Sequence, residues 1–167
     1  MRLQQYTEEM EYAEFRTLWE VQQQFHSFIL DEIFDKDVKL KIVKGTDMFS
    51  TYFNVGGDKY IFRAETYGNN IYGILFYRRD GLDMFKPKGG TNFAGDVFAG
   101  VFKSVRKLID DRQVDGIHFN TDDSKLKSLY TKMKPLVIKR FPEFTFFKKN
   151  QKGNTTEFLY LRKGIKL

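Results

Sequence analysis

The sequence predicts an α+β fold, with the α/β character of a mixed central sheet: an antiparallel meander, then helix, strand, helix and two C-terminal strands. Three observations carry this. Apolar residues recur at spacings of three and four within residues 1–37, the pattern changes to alternation across 38–80, and helical spacing returns from Ala94. The 167 residues are 41% hydrophobic and 17% aromatic, which suits one domain, 1–167, with a substantial core.

In the N-terminal helical segment, 1–37, Thr7 can cap a first turn that carries Glu8 and Glu9, the favourable sign at that end. Phe15, Leu18, Trp19, Gln22, Phe25, Ile29 and Ile33 form one stripe, as a single helix or as two divided near Gln22–Gln24. His26 falls beside that stripe and reads as a half-buried histidine. The meander, 38–80, contains VKLKIVKG, MFSTYFNV, KYIFRAETY and NIYGILFYRRD. Gly56-Gly57-Asp58 and Gly68-Asn69-Asn70 read as hairpin turns between its later strands.

The third region, 86–167, opens on KPKGGTNFAGDVFAGVF, a basic glycine-rich bend followed by a helix. Ala94, Val97, Phe98, Val101, Phe102, Val105, Leu108 and Ile109 give that helix a wide apolar face. GIHFN is a short strand that turns His118 away from the side of Ile117 and Phe119. Asp122 or Asp123 can cap the helix SKLKSLYTKMKPLVIKRF, whose Leu126, Leu129, Tyr130, Met133 and Val137 face inward. Pro135 is expected to kink or divide it by removing a backbone donor. FTFFKK and EFLYLRK follow as strands across the turn KGN. The lysines of this region read mostly as a solvated face. Phe144, Phe146 and Phe147, interleaved with them, have two readings, an aromatic platform for nucleic acid or, as is commoner for a phenylalanine-rich terminal strand, core.

Composition narrows the chemistry. The absence of cysteine excludes disulfides, thiolate nucleophiles and Cys-based zinc or iron–sulfur sites, and two histidines make no metal cluster. No apolar run reaches membrane-spanning length and the N-terminus lacks a signal-peptide core, so a cytoplasmic protein with no membrane partner is expected. The net charge of +6 is uneven. Residues 1–37 carry three Lys and Arg against nine Asp and Glu, a net of −6, and the remainder carries 25 against 13, a net of +12. A basic body suits an anionic partner. The glycine bend has two readings, a strand-to-helix turn that needs positive φ or a backbone cradle for phosphate. A P-loop is excluded, since no Gly-Lys-Ser/Thr stands at the required spacing, and the dinucleotide fingerprint is absent.

The element order, together with NTDDSKLKSLYTKM (Asn120 to Met133), resembles the GNAT superfamily of N-acyltransferases. GGTNFAGDVFAGVFKSV is similar to small GNAT-like proteins of bacteriophages, which would place the chain in a host cytoplasm. The resemblance implies acetyl-CoA as acyl donor and an amine-bearing small molecule or protein as acceptor. It implies a pyrophosphate on the bend and helix start, from Lys86, Lys88, Gly89, Gly90, Thr91, Asn92 and Gly95, with Asn120 nearby. It also implies a thioester carbonyl held by the fourth strand around Leu75, Phe76 and Tyr77. Tyr130 would act as the general acid for the thiolate and Glu65 as the base for the amine. Plainer readings stand beside these: Tyr130 as a buried aromatic, Glu65 as a surface strand carboxylate. Lys86 and Thr91 depart from the family pattern, which has Gln or Arg at the first place and Gly or Ala at the last. The alternative is a catalytically inactive GNAT-like phage protein that binds a host protein or nucleic acid, or serves in a virion. The sequence sets no oligomeric state.

Overall fold

The structure, a computed structural model, describes residues 37–66, 68–80, 94–122 and 124–167. They form a mixed α+β arrangement of two helices and one seven-stranded sheet. The elements are β1 (Lys41–Lys44), β2 (Met48–Val55), β3 (Asp58–Thr66), β4 (Ile71–Arg78), α1 (Ala94–Asp111), β5 (Gly116–Thr121), α2 (Ser124–Arg140), β6 (Phe144–Lys152) and β7 (Thr155–Arg162). In space the strands run β1-β2-β3-β4-β5-β7-β6. The expected helices of 1–36, with His26, and the bend 81–93 lie outside the described residues.

The turns follow from residues that tolerate positive φ. Gly56 and Gly57 stand at φ 57° and 84°, and the junction of β3 and β4 sets Gly68, Asn69 and Asn70 at 114°, 55° and 55°. Such tight turns make consecutive strands antiparallel neighbours. β5 instead lies parallel to β4, an arrangement that requires a crossover, and the connection contains α1. β7 pairs antiparallel with both β5 and β6.

The expected first strand, VKLKIVKG, is ordered as β1 only from Lys41, and all four of its residues are exposed, as at the end of a sheet. α2 is a single element that runs through Pro135 without division. Pro135 is exposed, so the carbonyl that its missing N–H would have served can turn to water.

Contacts gather the described residues into two units. The first contains 37–41, 52–61, 77–80 and 94–104. Here Phe53 stacks on Tyr60 with centroids 5.7 Å apart, and Val97, Phe98, Val101 and Phe102 of α1 are buried. Gly100 lies so close to Phe53 that an added Cβ would stand 2.3 Å from its ring. The Lys103 ammonium donates to the Val38 carbonyl at 2.8 Å. Arg78, fully buried, lies 3.1 Å from Asp58 and 3.0 Å from Asp80.

The second unit contains 42–51, 62–76 and the described residues of 105–167, with Phe62, Leu108, Val114, Phe144, Phe158 and Leu161 in its core. The end of α1 is tied to the β1–β2 turn, where Arg112 donates to the Gly45 and Thr46 carbonyls at 2.6 and 2.9 Å. Lys44 pairs with Asp111, and its hydrogen bond holds that carboxyl below the ordinary range. No helix among the described residues is long and apolar enough to cross a membrane.

Two outcomes follow for stability. Gly100→Ala should destabilise by about 1–2 kcal/mol although alanine is the better helix former, because the clash with Phe53 exceeds the propensity gain. A raised melting temperature would contradict the close approach. Arg78→Met should cost about 3–5 kcal/mol by leaving Asp58 buried without its cation. Adding Asp58→Asn should restore part of that loss in denaturant titrations.

Candidate functional site

The second unit holds the place where the sheet opens. The β4–β5 ladder joins Ile71–Gly73 to Gly116–His118 and then ends among the described residues, while β4 continues to Arg78 and β5 to Thr121. β5 stays paired with β7 along its whole length, from Gly116↔Leu161 to Thr121↔Thr156. Two parallel strands thus start together and part, with Ile74–Phe76 on one side and Phe119–Thr121 on the other.

Tyr130, on the second turn of α2, stands where they part. Its ring meets Phe119 at 5.0 Å, Phe158 at 5.8 Å and Phe76 at 6.3 Å, each edge to face. Phe119 in turn stacks on Phe158 at 5.2 Å and on Tyr160 at 6.1 Å. The local reason is plain. β5 and β7 both alternate, so Phe119 and Phe158, directly paired, share one face, and α2 rests against β5. Edge-to-face contacts of this kind add about 0.5–1.5 kcal/mol each beyond area burial. Tyr160, which also meets Phe146 at 5.3 Å, has its hydroxyl pKa pushed up to about 12 by burial.

The sequence-predicted residues distribute as follows. Phe76 and Tyr130 are brought together, and Phe119 and Phe158, which were read only as strand residues, complete the cluster. For Phe119 the available signal was its place between the polar His118 and Asn120. Leu75 is 58% exposed and Tyr77 is exposed as well. Glu65 accepts a hydrogen bond from Arg63 Nε at 2.6 Å, across two residues of one strand. Asn120 is exposed on β5, opposite Glu157 of β7. His118 Nε2 lies 4.0 Å from Glu157 Oε1. Gly95 is in the first turn of α1, followed by the acidic Asp96, while Lys86, Lys88, Gly89, Gly90, Thr91 and Asn92 lie outside the described residues. Of the two candidate caps of α2, Asp122 precedes the helix and Asp123 is outside the described residues.

Compared with known proteins, the chain matches no family model, no curated protein and no solved structure.

The raised pKa of Tyr160 has a direction that can be measured. The fold favours the neutral phenol, so this contribution is whole below about pH 10, the unfolded value, and fades as pH rises through about 12. Tyr160→Phe should therefore flatten the alkaline limb of the stability profile over that window. An unchanged limb would mean that the hydroxyl is solvated.

Proposed function

We propose that the protein is an acyl-CoA-dependent N-acyltransferase that moves an acetyl group from acetyl-CoA to a cationic amine. The observation that carries this reading is the parting of parallel strands β4 and β5 beside Tyr130. A pantetheine arm is narrow and carries amides. It suits a gap between strands, where backbone groups can meet it as another strand would. The order of elements and the segment NTDDSKLKSLYTKM, which resemble the GNAT superfamily, support the same assignment.

In this reading acetyl-CoA supplies the activated thioester. β4 around Leu75 to Tyr77 would orient the carbonyl by a backbone N–H. Glu65 would take a proton from the ammonium, freeing the nitrogen lone pair to attack the carbonyl carbon. As the carbon–sulfur bond breaks, Tyr130 would give its phenolic proton to the departing thiolate, and the second proton that the nitrogen sheds on becoming an amide would restore the phenol.

A second reading has its own observations. The rings of Phe76, Phe119 and Tyr130 meet where the strands part, and Asp96 brings a carboxylate to the first turn of α1, where a pyrophosphate would be repelled. A fold of this type without catalysis, used to bind a host protein or nucleic acid or to build a virion, would fit both.

Thermal unfolding with and without acetyl-CoA separates the two. If the acyltransferase reading holds, the melting temperature rises with the logarithm of ligand concentration, equivalent to about 2.7 kcal/mol at a hundredfold excess over Kd. Tyr130→Phe should keep that shift and lower the rate of thiol release with amine acceptors by about a hundredfold or more. A melting curve unmoved by millimolar acetyl-CoA would overturn the acyltransferase and leave the binding shell.

A further inference from the structure

We propose that the basic sheet edge formed by β6, beside α2, is a binding surface for single-stranded nucleic acid. The first observation is charge. Residues 124–152 carry nine Lys and Arg and a single carboxylate, Glu143, a net of +8, whereas the other 138 residues sum to −2. The excess of the whole chain thus resides in one helix and one strand. Glu143 does little to offset it at the surface, because Arg106 of α1 engages it at 2.5 Å. Burial, the largest single influence, would raise its pKa, but the Arg106 and backbone hydrogen bonds and the nearby charges of Arg106 and Arg162 together outweigh it and hold it lowered.

The second observation is how the two elements join. α2 rests against β6, and their ties are made by lysines. The Lys134 ammonium sits 4.1 Å from the centre of the Phe146 ring. Lys149 donates to Thr131 Oγ1 at 3.1 Å and lies 5.8 Å from the Phe158 centroid. Ring faces and a hydroxyl hold these cations in place, and neither neutralises them.

The third observation is Phe147. Phe146 pairs with Tyr160 and Lys148 with Leu159, so Phe147 is the extra residue of a β-bulge on the last strand of the sheet. Bulges re-aim side chains, and Phe147 is 51% exposed, against the expectation that it belongs to the core. Lysines on a sheet edge are commonly a guard against strand addition, which accounts for Lys148, Lys149 and Lys152. It does not account for a half-exposed phenylalanine beside them, the kind of residue such protection avoids. An exposed aromatic ring adjoining the exposed Lys148 and Lys149 on a sheet edge matches a strand whose bases are free to stack. Duplex bases offer no such face, and an acidic protein would use the lysines without needing the ring. This inference does not depend on acyl transfer.

The test is fluorescence anisotropy of labelled oligothymidylate and oligouridylate of about 20 nucleotides, titrated with the full chain from about 50 to 200 mM salt. Binding should weaken with salt, with a log–log slope of about −0.7 for each phosphate engaged. Phe147→Ala should weaken binding about fivefold or more at every salt concentration while preserving the slope. Lys148→Gln with Lys149→Gln should reduce the slope by about 1.4, and Lys41→Gln, on an exposed strand elsewhere, should change neither. Melting temperatures would verify that the variants remain folded, and a preference between the two oligomers would tell DNA from RNA. The proposal fails if no oligomer binds at the lowest salt. It fails also if Phe147→Ala binds as tightly as the parent and heparin or duplex DNA competes equally, since that describes bare polyanion attraction. Loss of no affinity in the lysine pair would place any binding elsewhere and overturn it too.

Discussion

The parallel join of β4 to β5 is the constraint on which the second unit depends. A parallel neighbour cannot be reached by a hairpin, so the chain must leave the sheet after β4 and return to begin β5. The return is fixed at Asp115. Its N–H donates to the Asn70 carbonyl at 2.9 Å, its carboxylate accepts from Asn70 Nδ2 at 3.3 Å, and its own carbonyl accepts the Arg162 N–H at 2.8 Å. One residue thereby ties the starts of β4 and β5 to the end of β7. Gly116, next in line, has no Cβ where Leu161 Cδ2 and Ile71 Cγ1 would stand 3.0 and 3.1 Å away. A side chain there would push these strands apart at the point where they must meet. The strands are therefore held at this end, and as β5 follows β7 the ladder with β4 lapses, which is where Phe76 and Phe119 receive Tyr130.

Arginines make the multi-point ties among the described residues, while Lys44 and Lys103 make single ones. Arg78 is buried between two carboxylates, Arg106 reaches Glu143, and Arg112 uses both Nη groups on the carbonyls of one turn. The planar fork of a guanidinium suits such fixed, multi-point ties. The lysines of β6 are exposed. Substituting one cation for the other would thus be conservative in charge alone.

Much of this arrangement was legible in the sequence. Every strand from MFSTYFNV onward was foreseen to within a few residues, because alternation and Gly- or Asn-bearing turns are local signals that tertiary context seldom reverses. The exchange of β6 and β7 in space also left a trace. EFLYLR is nearly continuous and apolar, as suits a strand buried on both faces, whereas FTFFKKNQK turns to lysines and amides in its second half, as suits an edge. Phe147 was not legible. Whether a residue sits in a ladder or in a bulge depends on the partner strand, so three phenylalanines in four positions looked like core until Tyr160 and Leu159 fixed the register. The contacts of Tyr130 were hidden for the same reason: its helical stripe says that it faces inward, and only the parting of two distant strands says what it meets.

The same rings explain how so basic a segment can fold. An ion pair would stabilise a cation by cancelling its charge, whereas an aromatic face does so through its quadrupole and leaves the charge intact. Lys134 and Lys149 rest near Phe146 and Phe158, and Arg162 lies 5.2 Å from the centre of the Phe144 ring. Arg106 spans both modes, with Glu143 on one side and Phe141 at 5.0 Å on the other. A chain with 18 phenylalanines and few acids in this region thus anchors Lys134 and Lys149 and keeps their field, whereas Lys152 pairs with Glu157 at 3.6 Å. Had carboxylates done the anchoring, the surface would be as stable and electrically mute. The choice of rings over acids preserves an attraction for anions that stability alone does not require.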